Sequence, residues 1–454
     1  MLYRLKMKKL VSFKNDKVEL YYYKYDTIQP NPIIELYRCK LFLQIQNIFV
    51  NKMVYKLGKD IFSLKKNYVR TLVNLFSSWI FVQYSRTNKI DIELFPTENL
   101  SCENIETTLN DFLKINKKLS STERTNKIKE TLDYLNLNTL MKDKKACFLN
   151  YCNSVYFNDI KDKYKLSKEI IELERNKETI KYVKYKIELP FTIKEYKLSK
   201  ILDDIIIPLS RWKKLKFMFD SDTINFDKVI WCLILRYKCL SSHNHQLAVS
   251  PVIMDKMNGD MNLSFECFAS SLNSHFRNYC SVFYDLEKYF GSFGSFFKML
   301  PISGTFGFNP PYEKIIIEKG VNNILKLLNI ANRNKKDLSF VLTLPIWDKE
   351  GKEYMNNYNV NETIIDYGEF YIMEKIKTSK YFVGLRMITK DKFSYLDYNN
   401  QCYKDKTIQN TYIILLSSQP KEKTMKYLNQ YNYYFPSKKK KKIECNSVSK
   451  NLFI

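Results

Sequence analysis

Two short runs constrain what this chain can fold into more than any other feature. Residues 339–344 (SFVLTL) and 411–416 (TYIILL) are apolar at almost every position, and prolines at 345 and 420 stop them. Neither has a polar face to give to water, and neither approaches the ~18 apolar residues of a membrane-spanning helix. Strands of this kind lie inside a sheet with helices on both faces. The neighbouring sequence supplies the helices. After 304–308 (GTFGF) come Asn309-Pro310-Pro311-Tyr312, and then a helix expected over 313–330, with Ile317, Val321, Ile324 and Leu328 on one stripe. An earlier run, 263–269, is mostly apolar with Glu266 inside it. Short apolar strands alternating with helices predict an α/β fold, a doubly wound, Rossmann-like sheet.

The first half has a different texture. Ile105, Leu109, Phe112 and Leu113 share a helical face, as do Ile128, Leu132 and Leu135. Leu166, Ile170 and Leu173 predict a third helix at similar spacing. Residues 41–50 fit a strand or a helix. Tyr185, Ile187 and Leu189 alternate with Lys186 and Glu188 as in a strand, which Pro190 ends. A helix is expected over 226–237, with Ile230, Leu233 and Ile234 inward. At 454 residues, 45% of them hydrophobic, the chain has material for more than one core. The expected division is a mainly helical domain over 1–225, the Rossmann-like domain over 226–420, and a basic, disordered tail over 421–454.

Lys and Arg outnumber Asp and Glu by 74 to 48, a formal charge of +26. Part of that excess belongs to a composition rich in Lys, Asn, Ile and Tyr throughout; the rest points to a polyanionic partner, nucleic acid first. Residues 208–219 (PLSRWKKLKFMF) set Arg211, Lys213, Lys214 and Lys216 among Trp212 and Phe217, cations for phosphates beside rings for base stacking. The same stretch also reads as a helix that buries Trp212, Leu215 and Phe219 and solvates its lysines. Lysines at 438–442 read as a nuclear signal, an RNA arm or a solvated tail. No apolar run suits a membrane span, and lysines interrupt the N-terminal stretch, so a secretory leader is not expected. Ten cysteines include no Cys-x-x-Cys pair. That speaks against a zinc ribbon and a disulfide scaffold, and for a reducing, intracellular compartment. His243 and His245 lack Cys or carboxylate partners nearby; they read as a polar loop, and no metal is expected.

Asn309-Pro310-Pro311-Tyr312 carries the chemistry. An amino group on an aromatic ring is a poor nucleophile because its lone pair is delocalised. An Asn309 amide oxygen and a Pro310 carbonyl suit the two N–H hydrogens, drawing the nitrogen toward tetrahedral geometry and aiming its lone pair. Proline fixes φ and removes a competing donor, so that carbonyl is held rigidly. Tyr312 then stacks on the base. A bare turn that caps a helix is the competing reading, but the placement between strand and helix is where such sheets bind ligands.

Around the tetrad, FECFASSLN (265–273), YCSVF (279–283), YFGS (289–292), PISGTFGFNPPY (301–312) and PIW (345–347) follow one another. In order and spacing they resemble the phosphorylated-CTD-interacting-factor family, the cap-specific adenosine N6-methyltransferases. The resemblance implies S-adenosylmethionine as methyl donor. It implies as acceptor the first transcribed, 2′-O-methylated adenosine beside an N7-methylguanosine cap, and hence capped mRNA as partner for the Rossmann-like domain and a cap- or RNA-binding role for residues 1–225. Asn309, Pro310, Pro311 and Tyr312 carry over as the catalytic tetrad, with Asn309 also beside the donor. Glu266, Ser270 and Asn273 are candidates for holding the donor, together with Thr378 and Ser379; the first three equally suit helix caps or core positions. Trp347 and Asp348 are candidates for the cap, since a ring and a carboxylate suit cationic methylguanine; a core Trp is the alternative. Tyr312, Lys314, Arg211, Lys213 and Lys214 complete the expected substrate contacts.

The sequence departs from the family at several places. Tyr312 replaces Phe, Ser271 replaces Pro, Gly307 and Ile346 replace Glu, and 378–384 (TSKYFVG) lacks the acids of the corresponding stretch. No WW domain is recognisable, because Trp79 stands alone in the first hundred residues, so recruitment to the polymerase tail by such a domain is not implied. The alternatives are a DNA adenine N6-methyltransferase built on the same tetrad, or a catalytically weak cap- or RNA-binding homologue. The expected location is the nucleus for a cellular protein and the host cytoplasm for a protein of a cytoplasmic virus.

Overall fold

The computed structural model describes residues 6–13, 18–24, 29–58, 68–86, 95–97, 99–115, 119–175, 178–240, 246–348, 371–388, 395–398, 404–406 and 410–419. The histidines at 243 and 245, the lysines at 438–442 and the expected tail lie outside the described residues. Strands β1 (Lys6–Phe13) and β2 (Val18–Lys24) form an antiparallel hairpin. The helix Pro32–Leu57 follows, and its start is written locally. The Asn31 side chain accepts from the Ile33 and Ile34 N–H groups at 2.9 and 3.2 Å, and Pro32 sits where a missing N–H is harmless. Residues 41–50 are therefore helical. This helix is buried nearly all round, against Tyr68–Arg86, Ser121–Leu135, Leu137–Cys152 and Phe226–Leu240. Ile105, Leu109, Phe112, Leu113 and Leu135 lie in the core on the faces read from their spacing.

The third expected helix, carrying Leu166, Ile170 and Leu173, is instead a strand. β3 (Lys165–Arg175) pairs with β4 (Glu178–Glu188) along all eleven positions. Ile170 is 63% exposed. Charges close the ladder across the strands: Lys181–Glu172 at 3.2 Å, Lys186–Glu169 at 2.8 Å and Lys165–Glu188 at 3.6 Å. Opposite charges on facing positions, as in the first and third pairs, or on diagonal ones, as in the second, stabilise an antiparallel pair. β5 (Ile206–Pro208) pairs with β4 on its other side.

Beyond it lie β6 (Leu247–Val249), β7 (Leu263–Glu266), β8 (Asn278–Tyr279), β9 (Leu300–Phe308), β10 (Leu338–Pro345), β11 (Phe382–Ile388), β12 (Tyr395–Asp397), β13 (Lys404–Lys406) and β14 (Thr411–Ser417). Among the described residues, the main sheet runs β1-β2-β9-β10-β14-β11, with β7 paired to β9 and β8 to β7. β8, β7, β9 and β10 are parallel, while β14 is antiparallel to both its neighbours. Every residue of β7, β10 and β14 is buried, as unbroken apolar runs require. The chain steps from β7 to β8 on one side and returns to β9 on the other. Strand order reverses there, which leaves a crevice at the carboxyl ends of β7 and β9. A separate small sheet runs β13-β12-β6.

The cores do not divide at residue 225. Val18 and Leu20 pack in the sheet's core with Phe306, Phe308 and Phe340, so the first hairpin belongs to the sheet. Conversely, the helix Phe226–Leu240 and residues Tyr279, Phe283 and Leu286 pack with the N-terminal helices.

The helix Lys314–Arg333 approaches β9 closely at Gly320, where a Cβ would stand 2.3 Å from the Phe308 ring. Gly320→Ala is expected to destabilise by about 1–3 kcal/mol through overpacking against that fully buried ring. Calorimetry reads this as a lower melting midpoint; an unchanged midpoint would show that Phe308 can yield.

Candidate active site

β9 ends at Phe308, and the chain turns at once through Asn309, Pro310, Pro311 and Tyr312 into the helix Lys314–Arg333. Two successive prolines forbid continuation of the strand ladder and delay the helix. Pro310 is buried and Asn309 half-buried. All four residues line an open cleft. Among the described residues the Asn309 side-chain amide has no hydrogen-bond partner, so its oxygen is available to a ligand in the cleft.

The opposite wall comes from the N-terminal half. Phe81, Tyr84 and Ser85 of the helix Tyr68–Arg86 line the cleft. That helix is tied to the far side of the tetrad at two points. Ser78 hydrogen-bonds the Glu313 carboxylate, which burial otherwise pushes up in pKa. Lys319 donates to the Ser85 carbonyl.

The loop after β7 forms the floor. Glu266 accepts from the His275 and Phe276 N–H groups at 2.7 and 2.9 Å, and burial raises its pKa. Asn273 accepts from the Ser270 N–H at 2.7 Å, and the Ser270 hydroxyl reaches Gln246 at 2.7 Å. Of these three candidates, Asn273 faces the cleft, while Glu266 and Ser270 shape its loop. Glu287, which the sequence reading passed over, does more of this work. Fully buried, it accepts from the Ser271 N–H at 2.7 Å, the Phe283 N–H at 3.1 Å and the Tyr237 hydroxyl at 3.2 Å, and burial pushes its pKa up to about 7.

The basic cluster around Trp212 is divided by the fold. Arg211 is buried and donates to the Ser274 carbonyl at 2.9 Å; Lys214 donates to the carbonyls of Ser274 and His275 at 3.0 and 2.6 Å. Burial, and then the Arg211 charge, bring the Lys214 pKa down to about 7. These two cations fasten the helix Leu209–Met218 to the loop after β7 instead of presenting themselves to a phosphate. Lys213 is exposed. Trp212 donates to the Tyr185 hydroxyl at 2.7 Å and packs edge-on against Phe226.

Trp347 is only 7% exposed and lies in the sheet's core, its ring edge-on to Tyr312 at 6.3 Å. Asp348 accepts from the Tyr412 hydroxyl at 2.9 Å. Neither is among the residues that line this cleft; Trp347 packs against Tyr312 of the tetrad, and Asp348 is bonded to Tyr412. Thr378 and Ser379 stand apart altogether. Phe382 is opposite Leu416, which is opposite Phe340 near the start of β10. Both residues therefore lie at the amino ends of the parallel strands, across the sheet from Asn309. Thr378 donates to the Glu374 carbonyl at 2.9 Å and Ser379 accepts from the Tyr381 N–H at 3.2 Å. Lys314 opens the helix after the tetrad, half-buried and outside the cleft lining. The lysine that does line the cleft is Lys298, whose pKa burial, then Lys319, lower to about 8. No sequence signal marks it.

Among the described residues, no group of three or more His, Cys, Asp or Glu is placed to hold a metal ion, and no helix is long and apolar enough to cross a membrane.

Residues 210–375 match the sequence family described as the phosphorylated CTD interacting factor 1 WW domain. In this chain that span holds the helix Phe226–Leu240, the parallel strands and the tetrad. Over 134 residues the chain is 34% identical to the mRNA (2'-O-methyladenosine-N(6)-)-methyltransferase of Mus musculus, and equally to that of Homo sapiens. The alignment covers 28% of this chain and 19% of each relative, so the likeness extends over about a fifth of those proteins.

Proposed function

We propose that the protein transfers a methyl group from S-adenosylmethionine to the N6 amino group of adenosine in RNA, since its residues 210–375 match the family described as the phosphorylated CTD interacting factor 1 WW domain. The proposed acceptor is the 2′-O-methylated adenosine next to the cap of mRNA, the substrate class in the relatives' name. The observation that carries the reading is the Asn309 amide, unpartnered among the described residues, at the carboxyl end of β9 where strand order reverses. The parallel set β8-β7-β9-β10 around that switch point supports a Rossmann-like methyltransferase fold.

The residues present suit the donor. Phe268, Phe296 and Phe297 give the cleft aromatic walls, which favour a cationic sulfonium, and Asn273 and Asp285 give it polar groups. When bound there, the donor supplies an electrophilic methyl group on positively charged sulfur. The chain's own part is to prepare the amine. The Asn309 oxygen and the Pro310 carbonyl accept its two N–H hydrogens, which localises the nitrogen lone pair. The Tyr312 ring stacks on the adenine and fixes the line of attack. Phe81 and Tyr84, across the cleft, help exclude water.

Labelled donor presented with capped RNA, uncapped RNA and DNA tests the proposal. Transfer to capped, adenosine-initiated RNA is the expected result, with little to uncapped RNA. Transfer to DNA alone, or to nothing while RNA still binds tightly, would overturn it.

A further inference from the structure

The Tyr312 hydroxyl has a partner within the fold. Among the described residues it hydrogen-bonds the hydroxyl of Tyr395, which also lies 3.2 Å from Thr411 Oγ1 at the start of β14. The Tyr312 ring packs at near right angles against Trp347, at 6.3 Å and 76°, and against Tyr395, at 6.1 Å and 84°. Tyr395 is 1% exposed. It comes from β12 of the small sheet, whose partner strand β6 directly follows Gln246, the residue bonded to Ser270 in the floor of the cleft. The small sheet therefore touches the site at two points, one at the tetrad and one at the loop after β7.

We infer that Tyr395 is a positioning residue that holds the Tyr312 ring upright against the incoming base; this rests on the function proposed above. The asymmetry of the pair makes the idea sharp. Removing the Tyr395 hydroxyl takes away the partner of the half-buried Tyr312 hydroxyl. The ring then gains by turning its hydroxyl toward the cleft in search of a new partner, and so leaves its packed position. Removing the Tyr312 hydroxyl instead leaves Tyr395 still beside Thr411. Replacing both hydroxyls by hydrogen removes the conflict, since a polar pair exchanged for apolar groups of the same shape is nearly neutral.

The test is a double-mutant cycle of Tyr312→Phe, Tyr395→Phe and the double variant. It uses steady-state kinetics on a capped RNA oligonucleotide, its affinity by fluorescence anisotropy, and S-adenosylhomocysteine affinity by calorimetry. Tyr395→Phe is expected to lower kcat/KM about tenfold, mainly through KM for the RNA, with S-adenosylhomocysteine affinity unchanged. Tyr312→Phe is expected to lower it about twofold. The double variant should recover to within about twofold of Tyr312→Phe alone. Three results would overturn the inference: Tyr395→Phe within twofold of wild type, a double variant as impaired as Tyr395→Phe, or a parallel fall in S-adenosylhomocysteine affinity, which marks general damage. If the wild-type chain methylates no RNA, the proposed function falls. The RNA affinities of the four proteins then decide the brace by the same pattern of loss and recovery.

Discussion

Asn309→Ala is expected to lower kcat for methyl transfer by about 10²–10³-fold, the scale for deleting one polar contact to developing charge. The KM for RNA should move far less. The Asn309 oxygen is unpartnered among the described residues and half-buried, so it sits ready at no cost in displaced bonds. Its value rises as the adenine nitrogen becomes tetrahedral and its hydrogens more acidic, a contact realised mainly in the transition state. Single-turnover kinetics with saturating donor isolate that step. A variant with full single-turnover rate would reduce the tetrad to a helix-entry turn.

Arg236→Met is expected to cost about 3–5 kcal/mol of stability, because it removes the guanidinium shared by two buried carboxylates, leaving Asp285 without its ion-pair partner and Glu35 with Arg38 alone. Arg236, 1% exposed on the helix Phe226–Leu240, bonds Glu35 at 2.9 and 2.6 Å and Asp285 at 2.6 and 2.8 Å. Glu35 belongs to the helix Pro32–Leu57, and Asp285 lines the cleft. One guanidinium thus joins the N-terminal helices to the wall of the site. Burial alone would raise the Asp285 pKa, but Arg236 holds it below the ordinary value, helped by Arg38 and Lys288. A depressed carboxylate contributes stability that is complete above about pH 4 and is lost as pH falls through its lowered pKa. Asp285→Asn should therefore flatten the acid limb of the stability curve. Urea unfolding at neutral pH measures the Arg236→Met loss; a change under about 1 kcal/mol would mean that water or a rearranged partner satisfies the two acids.

The sheet and the tetrad were legible in the chain, and the brackets around them were not. Residues 339–344 and 411–416 declared themselves because a strand buried on both faces has no polar position to spare. Asn309 to Tyr312 declared its place between strand and helix because two adjacent prolines end one element and delay the next. By contrast, the spacing of Leu166, Ile170 and Leu173 suits either periodicity, and only pairing with residues 178–188 made it a strand. Arg211 and Lys214 read as a phosphate-binding cluster until the loop at Ser274 and His275 took their donors. Thr378 and Ser379 lie at the opposite ends of the strands from Asn309, because β14, last in the chain, enters antiparallel between β10 and β11 and so decides which end of β11 is which.

Glu35 and Arg236 are 201 positions apart, and Asp285 a further 49. Their types alone say only that they are charged. Periodicity and local motif thus determined which segments shed water and where the turn from β9 into the next helix lies. Tertiary packing decided which polar groups were desolvated together. A buried charge is stable only beside its counter-charge, and that partner is chosen by the folded chain, not by its neighbours in sequence.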